Sequence, residues 1–178
     1  MRARHKKIWN DNSGFTLAEL LVVLAIISIL TGMAVLSFSV VGNADVNKAA
    51  RNYSSILSKA RTESMAKGTD AGQLNLIYEN NRLYYWIGTE DASTAVKEEV
   101  CSSMIDVSLA YDANGIPSAA DFVSGQIYTI RFSTSGMVEP MDPSSNTFLS
   151  KVVFSRGNRT VETVLYLTGK NKTMLVSA

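Results

Sequence analysis

The sequence predicts an α+β fold. A long N-terminal helix, its first half apolar enough to span a membrane, packs by its second half on a mostly antiparallel β-sheet domain. Three observations carry this. Leu20 to Val41 runs for 22 residues without a charge. Val46, Ala49, Ala50, Tyr53, Ile56, Leu57 and Ala60 then recur at spacings of three and four, one apolar stripe of an amphipathic helix. From Gln73 onward apolar residues alternate in short runs between turn residues, which is the period of strands.

The chain begins with a basic leader, residues 1–14, in which Arg2, Arg4, Lys6 and Lys7 stand against Asp11. A short basic segment ahead of an apolar run stays on the cytoplasmic side. Residues 15–42 form the membrane half of the helix. The uncharged run would span about 33 Å as a helix, which matches a hydrocarbon core of about 30 Å. A buried core helix is the bland reading, but soluble helices are rarely apolar on every face for so many turns. A cleavable secretory signal is the stronger rival. Its apolar region is usually only about 7 to 15 residues, yet Gly42-Asn43-Ala44 offers a small-x-small cut that would leave Asp45 first.

Residues 43–68 form the amphipathic half. Lys48, Arg51, Asn52, Lys59, Arg61 and Glu63 mostly cover the face opposite the stripe. No proline precedes Pro117, so nothing forces an early break, and Gly68 with Thr69-Asp70-Ala71-Gly72 marks the stop. Gly32 and Gly42 are the weak points of the first helix.

Residues 69–178 form the β-rich domain. Leu74 to Tyr78 and Arg82 to Ile87 flank Glu79-Asn80-Asn81, a hairpin-like turn. Met104 to Tyr111 alternates, with Lys97 to Val100 open to a helical reading. Asp112 to Pro117 reads as a turn. Tyr128, Ile130 and Phe132 share a strand face, and Pro140 to Asn146 is a loop. Val152 and Phe154 lead into Arg156-Gly157-Asn158-Arg159, whose centre suits a tight hairpin. Val161, Thr163, Leu165 and Leu167 alternate on the return. Thr168 to Asn171 turns the chain again before Met174 to Val176.

Composition narrows the function. Seventeen Lys and Arg against sixteen Asp and Glu leave +1, so no global field points to nucleic acid. Cys101 is the sole cysteine and His5 the sole histidine, which excludes an intrachain disulfide and a cysteine zinc site and leaves the body of the chain without a histidine base. No phosphate-binding, nucleophile-elbow or zincin motif occurs. Asp112-x-Asn114-Gly115 is a turn and not a calcium loop, since the other ligands are missing. The expectation is a non-enzyme without metal or cofactor.

The sharpest signal is the junction Gly14-Phe15-Thr16-Leu17-Ala18-Glu19-Leu20, one carboxylate at the edge of an uncharged segment. An acid there is costly and calls for a partner. With the basic leader and the apolar run, this stretch resembles a type IV prepilin or type II secretion pseudopilin. The resemblance covers roughly residues 1–45. It implies a cut between Gly14 and Phe15 by a prepilin peptidase, N-methylation of Phe15, and a role for Glu19 in subunit assembly. It also implies as partners other pilins, an inner-membrane platform with a cytoplasmic ATPase, and membrane lipid before assembly. The place implied is the cytoplasmic membrane, crossed once with the N-terminus inside, and then a filament. Many members carry a proline partway along the first helix, where this chain has Leu36.

The order of elements is similar to the GspH/FimT branch, which implies two small sheets. Phe132-x-x-x-Gly136, the strand pair across Gly157, and Thr168-Gly169-Lys170 carry that narrower likeness. Some members of that branch bind DNA for uptake. Arg156, Arg159, Lys170 and Lys172 would make a basic patch if their turns lay side by side, although ordinary solvated charge is the preferred reading. A membrane-anchored or secreted binding module is the remaining rival, and Gly14-Phe15 with Glu19 argues against it.

Overall fold

The computed structural model describes residues 16–113, 116–141, 144 and 146–177, without the side chains of residues 33–43 and 116–117. The leader, Gly14 and Phe15, and the side chain of Leu36, lie outside the described residues. The chain divides into two compact units, Met1–Val40 and Val41–Ala178. Helix α1 (Leu17–Lys67) is the only helix among the described residues. It ends where the sequence predicts, with the Gly68 amide donating to the Ser64 carbonyl at 2.9 Å.

In the second unit the strands form two five-stranded antiparallel sheets. The first has the order β3 (Glu98–Cys101), β2 (Arg82–Ile87), β1 (Leu74–Glu79), β6 (Ile127–Phe132), β7 (Val138–Glu139). The second has the order β10 (Asn171–Ser177), β9 (Arg159–Leu165), β8 (Phe148–Arg156), β4 (Asp106–Ala113), β5 (Ile116–Asp121). The hairpin from β1 to β2 pairs Glu79 with Arg82 across Asn80 and Asn81, at φ 53° and 58°. Two left-handed residues are what a tight hairpin turn demands, and asparagine tolerates that region better than most.

The amphipathic half of α1 lies against the sheets. All seven residues of the predicted stripe are 3% exposed or less, and Ser64 extends it. The Thr163 hydroxyl donates to the Ala50 carbonyl at 3.4 Å, Asn171 bonds Ser54 and Ser58, and the Asn52 amide donates to the Val100 carbonyl at 3.1 Å. Tyr53, Leu57, Leu74, Leu83, Phe132 and Phe154 form the centre of the core. Burying each such side chain contributes roughly 1.5 to 3 kcal/mol.

Three sequence expectations are corrected. Lys97 to Val100 is not helical, because Glu98–Cys101 pairs with β2. The turn read over Asp112 to Pro117 is narrower. Ala113 still belongs to β4, and β5 starts at Ile116. Pro117 hides this strand in the sequence, and β5 tolerates it as an edge strand. Leu167 lies beyond β9 and is 40% exposed, since the chain turns at Tyr166. The two-residue strand β7 carries no alternation to read.

Candidate functional site

Two regions hold the residues singled out by sequence: the start of α1, and the turns flanking β9.

At the helix start the sequence Thr16-Leu17-Ala18-Glu19 folds into a reciprocal cap. The Glu19 amide donates to the Thr16 hydroxyl oxygen at 3.2 Å. The Thr16 amide and hydroxyl donate to Glu19 Oε2 at 2.9 and 3.0 Å. A Thr at the cap and a Glu three residues on satisfy orphan backbone donors of the first turn and present a negative charge to the positive end of the helix dipole. Glu19 is exposed and accepts two hydrogen bonds, both on one oxygen. A carboxylate has about four lone-pair sites, so acceptor capacity remains for a donor from outside. Thr16 enters the sequence reading as part of the junction, without a role of its own, although the Thr-x-x-Glu spacing ahead of an apolar run was the signal for the cap.

Beyond the cap, Leu17, Leu20, Leu21, Val22, Val23, Leu24, Ile26, Ile27, Ile29 and Leu30 are each between 48% and 81% exposed. Consecutive positions take part, so the apolar surface is not confined to one stripe. The polar side chains interspersed with them turn inward: the Ser28 hydroxyl donates to the Leu24 carbonyl and that of Thr31 to Ile27, both at 2.8 Å. A surface of this kind calls for a cover of lipid or of other apolar helices. Among the described residues no helix is long and apolar enough to cross a membrane, and residues 33–41 of the uncharged run have no described side chains.

The late cations do not come together. β9 runs between the two turns that carry them, and successive turns of an antiparallel meander fall at opposite ends of the shared strand. Arg156 and Arg159 sit at one end. The Arg156 guanidinium pairs with Asp45 at 2.8 Å, and Arg159 donates to Asn47 at 3.2 Å. Lys170 and Lys172 sit at the other end, both exposed. The six steps of strand from Arg159 to Leu165, at about 3.4 Å each, separate the two turns by about 20 Å.

The glycines of the two late motifs do meet. The carbonyl of Gly136 accepts a 2.8 Å bond from Arg61 Nε, and a Cβ on Gly169 would lie 1.8 Å from that same oxygen. The Val138 amide donates to the Leu167 carbonyl at 2.9 Å, joining the same turns. Arg61 reads in the sequence as a surface cation, and only the close approach of the glycines shows its role as a clasp.

Cys101 is 6% exposed, and burial pushes its thiol up to about 11. A thiol so protonated is a packing residue, not a nucleophile.

Residues 9–35 match the family model of the prokaryotic N-terminal methylation motif. No curated protein and no solved structure matches the chain.

Proposed function

We propose that this chain, whose N-terminal methylation motif supports the type IV pilin and pseudopilin family, is a structural subunit of a filament: a minor pilin or pseudopilin of a type IV pilus or of a type II secretion or competence pseudopilus. It is made as a membrane-anchored precursor with its leader inside and its β domain outside. Prepilin peptidase cuts between Gly14 and Phe15, and Phe15 is methylated. The subunit then joins other pilins, drawn from the membrane by a platform and its cytoplasmic ATPase. Its role is structural and not catalytic.

The observation that carries this reading is the pairing of an exposed, capped carboxylate with a helix of bare apolar side chains. Once Phe15 is the first residue, its α-amine is mostly protonated near neutrality, with a pKa of roughly 7.7 to 8.0. A cation and a carboxylate at the same edge both need partners in a medium of low dielectric. Glu19 keeps acceptor capacity beyond Thr16 and receives the amine of a neighbouring subunit, which sets the axial register. The apolar side chains pack in lipid before assembly and against each other after it. The GspH/FimT branch is the subtype we favour, supported by two antiparallel sheets and by the convergence of Gly136 and Gly169.

Glu19→Val tests the reading. Cleavage after Gly14 and the fold of the β domain should persist while incorporation into filaments fails. Normal incorporation of the cleaved variant would refute the role of Glu19.

A further inference from the structure

We infer that the exposed basic face of α1 docks on the β4–β5 edge of a second copy of this chain, in a head-to-tail contact. This rests on the filament reading and deepens it by naming the surfaces through which β domains meet.

The charge is segregated along the chain. Residues 44–67 hold five cations against Asp45 and Glu63, whereas from Glu98 to Ile130 there are five carboxylates and no Lys or Arg. Folding engages part of each set in ion pairs or hydrogen bonds. Arg61 is spent on the Gly136 carbonyl and Lys67 on Glu63. Glu99 pairs with Arg82, and Glu98 accepts the Tyr85 hydroxyl. On the helix this leaves Lys48, Arg51 and Lys59, all exposed. Asp112 is half-buried and has an interaction of its own, so on the sheet this leaves Asp106 and Asp121, also exposed. Among the described residues none of these five makes an ion pair within 4 Å.

The two surfaces cannot neutralise each other within one chain. Along β4, Leu109 is buried with the helix-facing core, so Asp106 and Ser108 lie on the opposite face. Asp121 is the cross-strand partner of Ser108 and shares that face. Asp106 and Asp121 line one shallow cavity of about 300 Å³ beside Phe122. Arg51 and Lys59 are exposed on α1 outside the buried stripe, and Lys48 stands at the rim of a cavity that it shares with Glu99, Val100 and Cys101.

A second copy supplies the missing complement to both surfaces at once, and complementary potentials fix register and suppress wrong docking. A contact between unlike surfaces of identical chains repeats without closing when its rotation does not close a ring, so it extends a filament.

The test is cross-linking of the full chain in the membrane, with Cys101→Ser and the pair Arg51→Cys and Asp121→Cys. The expected product is a ladder of dimers, trimers and longer species. Reversing one surface, with Lys48→Glu and Lys59→Glu, or with Asp106→Lys alone, should cut the ladder about tenfold or more, since like charges then face each other. Combining both reversals in one chain should restore it. An undiminished ladder after a single-surface reversal, no restoration in the combined variant, or cross-links only to other proteins would overturn the contact. Leader removal is read in the same samples. A processed chain without a ladder overturns this contact and leaves the filament reading standing. An unprocessed chain with a ladder keeps the contact and removes the filament reading. An unprocessed chain without one removes both.

Discussion

Replacing Gly169 by alanine should destabilise the β domain far more than the same change at Gly157. Both glycines have left-handed backbones, with φ of 74° and 60°. An alanine there costs roughly 1 to 2 kcal/mol, offset by about 0.4 to 1 kcal/mol from a less free unfolded chain. At Gly157 nothing lies within 4 Å of a new Cβ, so the account ends there, near 1 kcal/mol. At Gly169 the Cβ would stand 1.8 Å from the Gly136 carbonyl oxygen and 2.8 Å from Arg61 Nε. The oxygen is backbone and cannot swing aside, so the turns must part. Overpacking of this kind costs about 1 to 3 kcal/mol. Weakening the Arg61 bond to Gly136 and the Val138 bond to Leu167 adds about 1 kcal/mol each. Gly169→Ala should therefore lose about 4 to 6 kcal/mol, a large share of the roughly 5 to 15 kcal/mol that holds a domain together. The assay is urea unfolding of the full chain in detergent, followed by the fluorescence of Trp86. That indole is 5% exposed, and Trp9→Phe leaves it the sole indole. Equal midpoints for the two alanine variants, at equal slope, would refute the clasp.

Tyr53→Phe should leave stability unchanged or raise it by up to about 1 kcal/mol, because the Tyr53 hydroxyl is buried without a hydrogen-bond partner among the described residues. A loss above about 1 kcal/mol in the same assay would mean that the hydroxyl bonds something essential. Stability should hold to about pH 9 and then fall. Burial raises the Tyr85 hydroxyl to about 12, helped by Glu98, and raises Cys101 to about 11. A raised folded value means the folded state keeps its proton longer. That contribution is complete below the ordinary values of 9 and 10 and is lost as pH climbs toward 11 and 12. Unfolding midpoints measured from pH 7 to 11 check the trend, and a midpoint that rises above pH 9 would contradict it. Deleting residues 1–42 should give a soluble folded domain, with Trp86 still shielded in fluorescence. An unfolded product would remove the packing of helix on sheet.

What the sequence makes legible is what local periodicity dictates. The stripe from Val46 to Ala60 reads directly because each residue faces one side of one helix, and each is buried. The β1–β2 and β8–β9 hairpins read from their Asn-Asn and Gly-Asn turns. β5 does not read, because Pro117 and its small neighbours lack strand character and an edge strand needs little of it. The separation of Arg156 and Arg159 from Lys170 and Lys172 was available in principle, since a meander alternates its turns. The clasp of Arg61, Gly136 and Gly169 was not, because it depends on contacts between Arg61 and Gly136, 75 residues apart, and between Gly136 and Gly169, 33 apart, that no local pattern encodes. At the helix start the acid is legible by its rarity in an uncharged segment, and its partner Thr16 by a three-residue spacing.

The most direct measurement is the mass of the mature N-terminus, taken from membranes of cells that carry prepilin peptidase. A filament subunit begins at Phe15, one methyl group heavier than the bare amine, and the leader ending in Gly14 is gone. A chain that begins at Asp45 would make the apolar run a secretory signal. A chain that keeps Met1 to Gly14 beside an active peptidase would equally contradict the assignment.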